Sequence, residues 1–201
     1  RLFDKSTLLY GLDQAADAIR THDQAVVVEG YLDVLTAHQH GFRTVVAPLG
    51  TALTDAQVRQ LQRLTHTLVL ALDADAAGQR ATLKGIQTAQ NGADAAASRP
   101  VVTAQGAVRW ERDLTVRVLR LPAGDDPDAL IRRDPAQWPA LVAGAVPVLD
   151  FCISAATTGR DLTQPSEQRA ALATLVPLLA QADAVQQGVA ATHLERIVGI
   201  P

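Results

Sequence analysis

The sequence predicts an α/β fold, an open and mostly parallel sheet flanked by helices and followed by a small C-terminal helical bundle. Three observations predict it. Three apolar segments, Ala25–Val28, Thr44–Ala47 and Thr67–Leu72, lack the polar alternation of a half-solvated strand, as expected for strands covered on both faces, and Thr115–Leu119 reads as a fourth strand. The first three are each followed by turn residues and a helical pattern, which marks parallel β-α-β units. From about Pro147 the strand signals vanish and helical periodicity takes over.

The elements follow in order. Residues 1–24 form a lead-in segment before the first buried strand. After Ala25–Val28 a helix starts near Tyr31, with Tyr31, Val34, Leu35 and His38 spaced i, i+3, i+4, i+7, which makes His38 a packing residue. The helix after the second strand opens at Thr54, where Thr54 and Gln57 make a capping box, and turns Val58, Leu61 and Leu64 inward. A third helix follows Asp75. Segments Pro100–Thr103 and Ala107–Glu111 can pair around Gln105-Gly106 as a hairpin, an insertion near residues 99–113 in a domain spanning 25–143. Asp126 before Pro127 is a good N-cap with proline at the first helical position. In the helical remainder, 147–201, Leu172, Leu175, Val176 and Leu179 make an apolar stripe on a helix that Pro165 can start and Pro177 should bend.

Composition narrows the function classes. With 201 residues and 48% hydrophobic content the chain can bury a real core. No apolar run approaches the ~20 residues of a membrane span, and the N-terminus lacks signal-peptide features, so a cytoplasmic setting without membrane contact is expected. The single Cys152 cannot form an internal disulfide, and the five histidines show no zinc-binding spacing. The absence of Met points to an excised piece of a longer protein. A net charge of −3 runs against nucleic-acid binding, which ordinarily needs a basic surface.

The acids are placed where open parallel sheets bind ligands, beyond the carboxyl ends of the strands. The first strand runs into Glu29-Gly30-Tyr31-Leu32-Asp33, where Gly30 allows a tight turn and Asp33 lies one helical turn from Glu29. The third ends in Asp73-Ala74-Asp75, whose carboxylates share one side if the chain stays extended. The fourth is followed by Gly124-Asp125-Asp126-Pro127-Asp128. Each piece has a plain reading: Asp75 can cap the helix from Ala76, as Asp126 caps its own. Capping and coordination can coexist. Carboxylates ~5 Å apart repel by roughly 3 kcal/mol at an effective dielectric near 20, so acids at three strand ends call for a cation. Oxygen-only ligands favour Mg2+, with Mn2+ as a substitute.

These segments resemble a known family. Glu29-Gly30-Tyr31-Leu32-Asp33-Val34, Leu49-Gly50-Thr51-Ala52-Leu53-Thr54 and Asp73-Ala74-Asp75-Ala76-Ala77-Gly78 are similar to the Toprim fold, a Rossmann-like sheet, of bacterial DnaG-type DNA primases. Phe3-Asp4-Lys5-Ser6 with Leu9-Tyr10-Gly11 resembles the segment that leads into this fold, and Leu121-Pro122-Ala123-Gly124-Asp125-Asp126-Pro127-Asp128 its closing motif. The ordered set of five segments, over Arg1–Arg133, is specific to primases. Ala74 stands where the family usually has Gly, Arg80 reads as a solvated helix residue, and the insertion is longer than the family's.

The resemblance implies the Toprim-containing part of the primase RNA polymerase core, which synthesises short RNA primers by magnesium-assisted nucleotidyl transfer during DNA replication at the bacterial replication fork. It implies that Glu29, Asp33, Asp73, Asp75, Asp126 and Asp128 form the acidic cluster, with Glu29 and Asp33 catalytic, Glu29, Asp73, Asp75, Asp126 and Asp128 on metal, and Lys5 on nucleotide phosphates or template. Implied partners are a single-stranded DNA template, ribonucleoside triphosphates, the RNA primer and the replicative helicase, the last through a C-terminal domain outside this chain. In the family a basic N-terminal subdomain and a zinc-binding domain supply much of the template grip, so this chain alone is expected to make primers poorly. The charge objection also softens: the six site acids carry six negative charges, and the rest of the chain is then net positive by three. Two alternatives stand beside this reading, a Toprim metal-dependent nuclease using water as nucleophile and a non-catalytic docking module whose acids only cap helices.

Overall fold

The computed structural model describes residues 5–49, 53–71, 100–102, 108–110, 114–122, 124–180 and 184–198. The chain divides into two compact units, residues 1–145 and 146–201.

In the first unit, strands β1 (Leu9–Tyr10), β2 (Ala25–Val27), β3 (Val45–Pro48), β4 (Thr67–Leu70) and β7 (Thr115–Val118) lie in one sheet in the order β1-β3-β2-β4-β7. β2 pairs parallel with β3 and with β4, β4 pairs parallel with β7, and β1 runs antiparallel to β3. Both faces of the central strands are buried, as the unalternating apolar runs require: Ala25, Val26, Val27 and Val28 are all at most 2% exposed. One core holds Val26, Val28, Val45, Ala47, Val69 and Ala71 together with Val34, Leu130, Ile131 and Trp138. Each such Val or Leu is worth ~1.5–3 kcal/mol of burial. Strands β5 (Pro100–Val102) and β6 (Val108–Trp110) pair antiparallel, with Val102 opposite Val108, while the expected turn at Gln105-Gly106 lies outside the described residues.

Helices α1 (Leu12–His22), α2 (Tyr31–Gln39) and α3 (Asp55–Gln62) follow β1, β2 and β3, and α4 (Pro127–Arg133) and α5 (Gln137–Ala143) follow β7. The Thr54–Gln57 capping box at α3 is present with both bonds, at 3.3 and 2.9 Å, and Val58 and Leu61 are fully buried. His38 is half-buried, and its Nε2 bonds the Val45 carbonyl at 2.8 Å, so it ties α2 to β3 as well as filling space. Gly11, at φ 78°, comes so close to α2 that a Cβ there would stand 2.8 Å from Val34 Cγ1.

The lead-in segment is held by α3. Lys5–Thr7 is a single 3-10 turn, and four consecutive carbonyls accept side-chain bonds from one helix face. Gln57 Nε2 donates to Lys5 O at 3.3 Å and Leu8 O at 2.7 Å, Thr54 Oγ1 to Ser6 O at 2.6 Å, and Gln60 Nε2 to Thr7 O at 2.7 Å.

The second unit contains α6 (Val148–Thr157), α7 (Pro165–Leu179) and α8 (Ala184–Val198). Its buried residues include Ile153, Ala171, Leu175, Ala190 and Leu194, and burial pushes the Cys152 thiol up to about 11, out of reactive range. The apolar stripe expected on α7 is partly corrected: Leu175 is 1% exposed but Val176 is 56% exposed, because the buried line runs through Ala171 and Leu175, one turn apart, and leaves Val176 outside it. Pro165 does start α7, and the helix continues past Pro177 to Leu179. Among the described residues no helix is long and apolar enough to cross a membrane.

Candidate active site

Strand order fixes where a ligand can sit. From β2 the chain leaves through α2 to β3 on one side, then crosses back through α3 to β4 on the other. The carboxyl ends of β2 and β4 therefore flank the topological switch point, the usual binding crevice of an open parallel sheet. Glu29 comes two residues after the last residue of β2 and is exposed. At the end of β4 the Ala71 N-H donates to Val27 O at 2.8 Å, so β4 is still joined to β2 two residues before Asp73. Asp73 and Asp75 themselves lie outside the described residues.

Asp33 is the hinge of the described part. It is 9% exposed, and each of its oxygens accepts a backbone N-H: Oδ2 from Gly30 at 3.0 Å and Oδ1 from Asp128 at 3.1 Å. One bond closes the turn beside Glu29. The other reaches 95 residues along the chain and caps the first turn of α4 from a neighbouring helix. Burial raises the Asp33 pKa, against the two N-H bonds that lower it, and the nearby charges of Asp126 and Asp128 raise it further.

Gly30 is explained by the same contact. Its φ of −109° is ordinary, so no left-handed turn requires glycine here. A Cβ would stand 3.0 Å from Asp33 Oδ2, so the residue is small to let the carboxylate approach its own N-H.

The third acidic segment divides its work. Asp126 caps α4, accepting the Ala129 N-H at 2.6 Å, with Pro127 buried at the first helical position. Asp128 accepts the Thr36 hydroxyl and Arg132 Nε, the latter at 2.8 Å, both on Oδ1. The Thr36 bond, more than the partly exposed Arg132, holds its carboxyl below the usual range. Asp125 turns to a bidentate bond with Arg133, at 2.7 and 2.6 Å, and that guanidinium lowers its pKa.

The structure thus brings Asp33, Asp126 and Asp128 together, with Glu29 one residue before the Gly30 turn. Lys5 is exposed on the lead-in segment and tied through its carbonyl to α3. Among the described residues no three His, Cys, Asp or Glu side chains could hold a metal ion by themselves. Sequence reasoning did not find Thr36 or Arg132. Arg132 could have been read as an i+4 partner of Asp128, whereas nothing local marks Thr36.

Residues 23–99 match the Toprim domain family. The DNA primase of Synechococcus elongatus is 38% identical over 181 residues, 89% of this chain and 24% of that protein. The chain belongs to the DnaG-type primase family. It spans about a quarter of the length of the curated DNA primases it matches first. Among solved structures it is similar to the Escherichia coli primase catalytic core, with a TM-score of 0.76 and 28% identity over 99% of this chain and 59% of that one. It is also similar to a DnaG primase catalytic domain bound to single-stranded DNA, with a TM-score of 0.77 and 28% identity over 98% of this chain and 58% of that one.

Proposed function

We propose that this chain is the Toprim-bearing part of a bacterial primase core, where the carboxyl-edge acids hold Mg2+, or Mn2+ in its place, for joining ribonucleotides on a single-stranded DNA template into an RNA primer. In this reading residues 25–143 are the Toprim domain with its inserted hairpin, 147–201 a helical subdomain, and the replicative helicase is met through another part of the protein.

The observation that carries the reading is the crowding of Asp33, Asp126 and Asp128 beside the Glu29 turn at the switch point, where Arg132 bonds Asp128. The donor chemistry fits a hard divalent cation, being all carboxylate oxygen. Asp128 Oδ2 has no donor among the described residues, and Asp73 and Asp75 would supply further oxygens. When bound, divalent cations at this edge supply acidity to the attacking 3′-hydroxyl and neutralise the departing pyrophosphate.

The chain's own residues divide as follows. Glu29 ligates a cation or accepts the 3′-hydroxyl proton. Asp33 serves by holding the Glu29 turn and the Asp126–Asp128 segment in one register, since both of its oxygens are engaged by backbone N-H groups. Lys5, fixed by α3, contacts nucleotide phosphate or template.

The test is Glu29→Gln in a catalytic core of the length of the solved relatives. Ribonucleotide incorporation should fall ~100-fold or more, as for loss of a charge-stabilising group, while template affinity stays near that of the parent. Near-normal synthesis would remove Glu29 from the active site, and a parallel loss of DNA affinity would assign it to binding.

A further inference from the structure

We infer that Thr36 is a positioning residue that aims the other carboxyl oxygen of Asp128, Oδ2, at the bound divalent cation. The inference rests on the proposed reading of Asp128 as a metal ligand.

Thr36 lies in α2 and is 2% exposed, so its hydroxyl must find a partner inside the protein. The partner is Asp128 Oδ1, 92 residues away in sequence. Asp33, three residues earlier and on the same face of α2, accepts the Asp128 backbone N-H at 3.1 Å. One helix therefore grips Asp128 twice, by its main chain through Asp33 and by its carboxyl through Thr36. Arg132 Nε reaches the same Oδ1, at 2.8 Å. With both donors on one oxygen, the carboxyl torsion is set and Oδ2 points away from them.

The two donors are not equivalent. Arg132 is a flexible side chain, 63% exposed, and its positive charge opposes a cation nearby. Thr36 is neutral, buried and β-branched, so it fixes the carboxyl without electrostatic cost and with little rotamer freedom of its own. Partners of this kind, one bond removed from the metal, orient a ligand so that the cation meets a preformed site.

The experiment is a titration of the whole chain with Mn2+, free Mn2+ being followed by its electron paramagnetic resonance signal, with a melting curve for every variant. Asp128→Asn tests the underlying reading. Thr36→Val removes the hydroxyl at nearly constant volume, and Thr36→Ser restores it. The expected result is that Asp128→Asn weakens Mn2+ binding, that Thr36→Val weakens it ~10-fold or more, and that Thr36→Ser stays within about twofold of the parent. Should Thr36→Val not fold, Thr36→Ala against Thr36→Ser makes the same comparison. Weak binding by Asp128→Asn with parental binding by Thr36→Val would overturn the inference and leave the metal reading standing. Equal weakening by Val and Ser would also overturn it, since the hydroxyl would then be irrelevant. Parental binding by Asp128→Asn, or no Mn2+ binding by the parent chain, would overturn both.

Discussion

The two edges of the central sheet use the same chemical group in opposite ways. At the amino edge Asp23, in a left-handed conformation at the end of α1, accepts the His66 backbone N-H and lies 2.8 Å from His66 Nδ1, joining the start of β2 to the start of β4. One carboxylate there meets one backbone donor and one imidazole, both side chains about half exposed. At the carboxyl edge, among the described residues, three carboxylates converge between α2 and α4, the most central of them buried, with the Arg132 guanidinium on Asp128. The first arrangement is a latch and is satisfied within the protein. The second concentrates negative charge and gains from a cation. An acid beside a strand end is thus informative only through its neighbours.

The comparison can be broken first at Asp33. Asp33→Ala removes the acceptor of two N-H groups in a largely buried setting and should cost about 3 kcal/mol in a denaturant titration. Asp33→Asn keeps one acceptor oxygen and sheds the desolvated charge, so it should cost less than half as much. Equal, small losses would mean that α2 and α4 are held by apolar packing alone. Next in size is Gly11→Ala, which meets both a positive φ and Val34 Cγ1 at 2.8 Å. It should destabilise the fold by about 2 kcal/mol, and a thermal melt close to the parent's would show that the β1–α1 turn yields easily.

A third prediction separates the edges by metal. A cation bound only by the folded state adds RT ln(1 + [L]/Kd), about 1.4 kcal/mol at tenfold excess over Kd. Calorimetry with and without Mg2+ should show this gain in the parent and in Asp23→Asn, but much reduced in the double variant Asp73→Asn with Asp75→Asn. An undiminished gain in the double variant would place the ion elsewhere.

The smallest effect belongs to the latch. The Asp23 carboxyl is held below its ordinary pKa, chiefly by the His66 backbone N-H. A depressed folded pKa contributes stability that is fully present above the ordinary carboxylate value of 3.8 and lost as pH falls through the lower folded value. Half exposure limits the effect to about half a kcal/mol. Asp23→Asn, which tolerates the left-handed conformation, should therefore melt slightly below the parent near neutral pH and match it in strong acid. A difference that grows on acidification would reverse the sign and refute the assignment.

The fold was legible because it depends on local patterns. Continuous valine runs announce strands buried on both faces, and Thr54 with Gln57 or Asp126 with Pro127 announce helix starts through bonds within four residues. Asp126 was legible for the same reason, as a cap beside Pro127, while the reading of Asp73 and Asp75 falls outside the described residues. What the sequence hid depends on contacts between distant segments. Thr36 reads as an ordinary helix residue until α4 is brought beside it, and Gly30 reads as a turn glycine until Asp33 Oδ2 is seen to need its space. The capture of the lead-in carbonyls by Gln57 was hidden too, because a buried glutamine in an amphipathic helix looks like a cap alone. Val176 misled because helical spacing places it beside Leu175 without saying which neighbours cover the helix.

The most direct test of the carboxyl-edge assignment is anomalous scattering from crystals of this chain soaked in Mn2+. The account predicts a peak at the carboxyl ends of β2 and β4, within about 2.0–2.4 Å of carboxylate oxygens that include Asp128 Oδ2. A peak at the amino edge beside Asp23 and His66, or none at the carboxyl edge under conditions where Mn2+ raises the melting temperature, would contradict it.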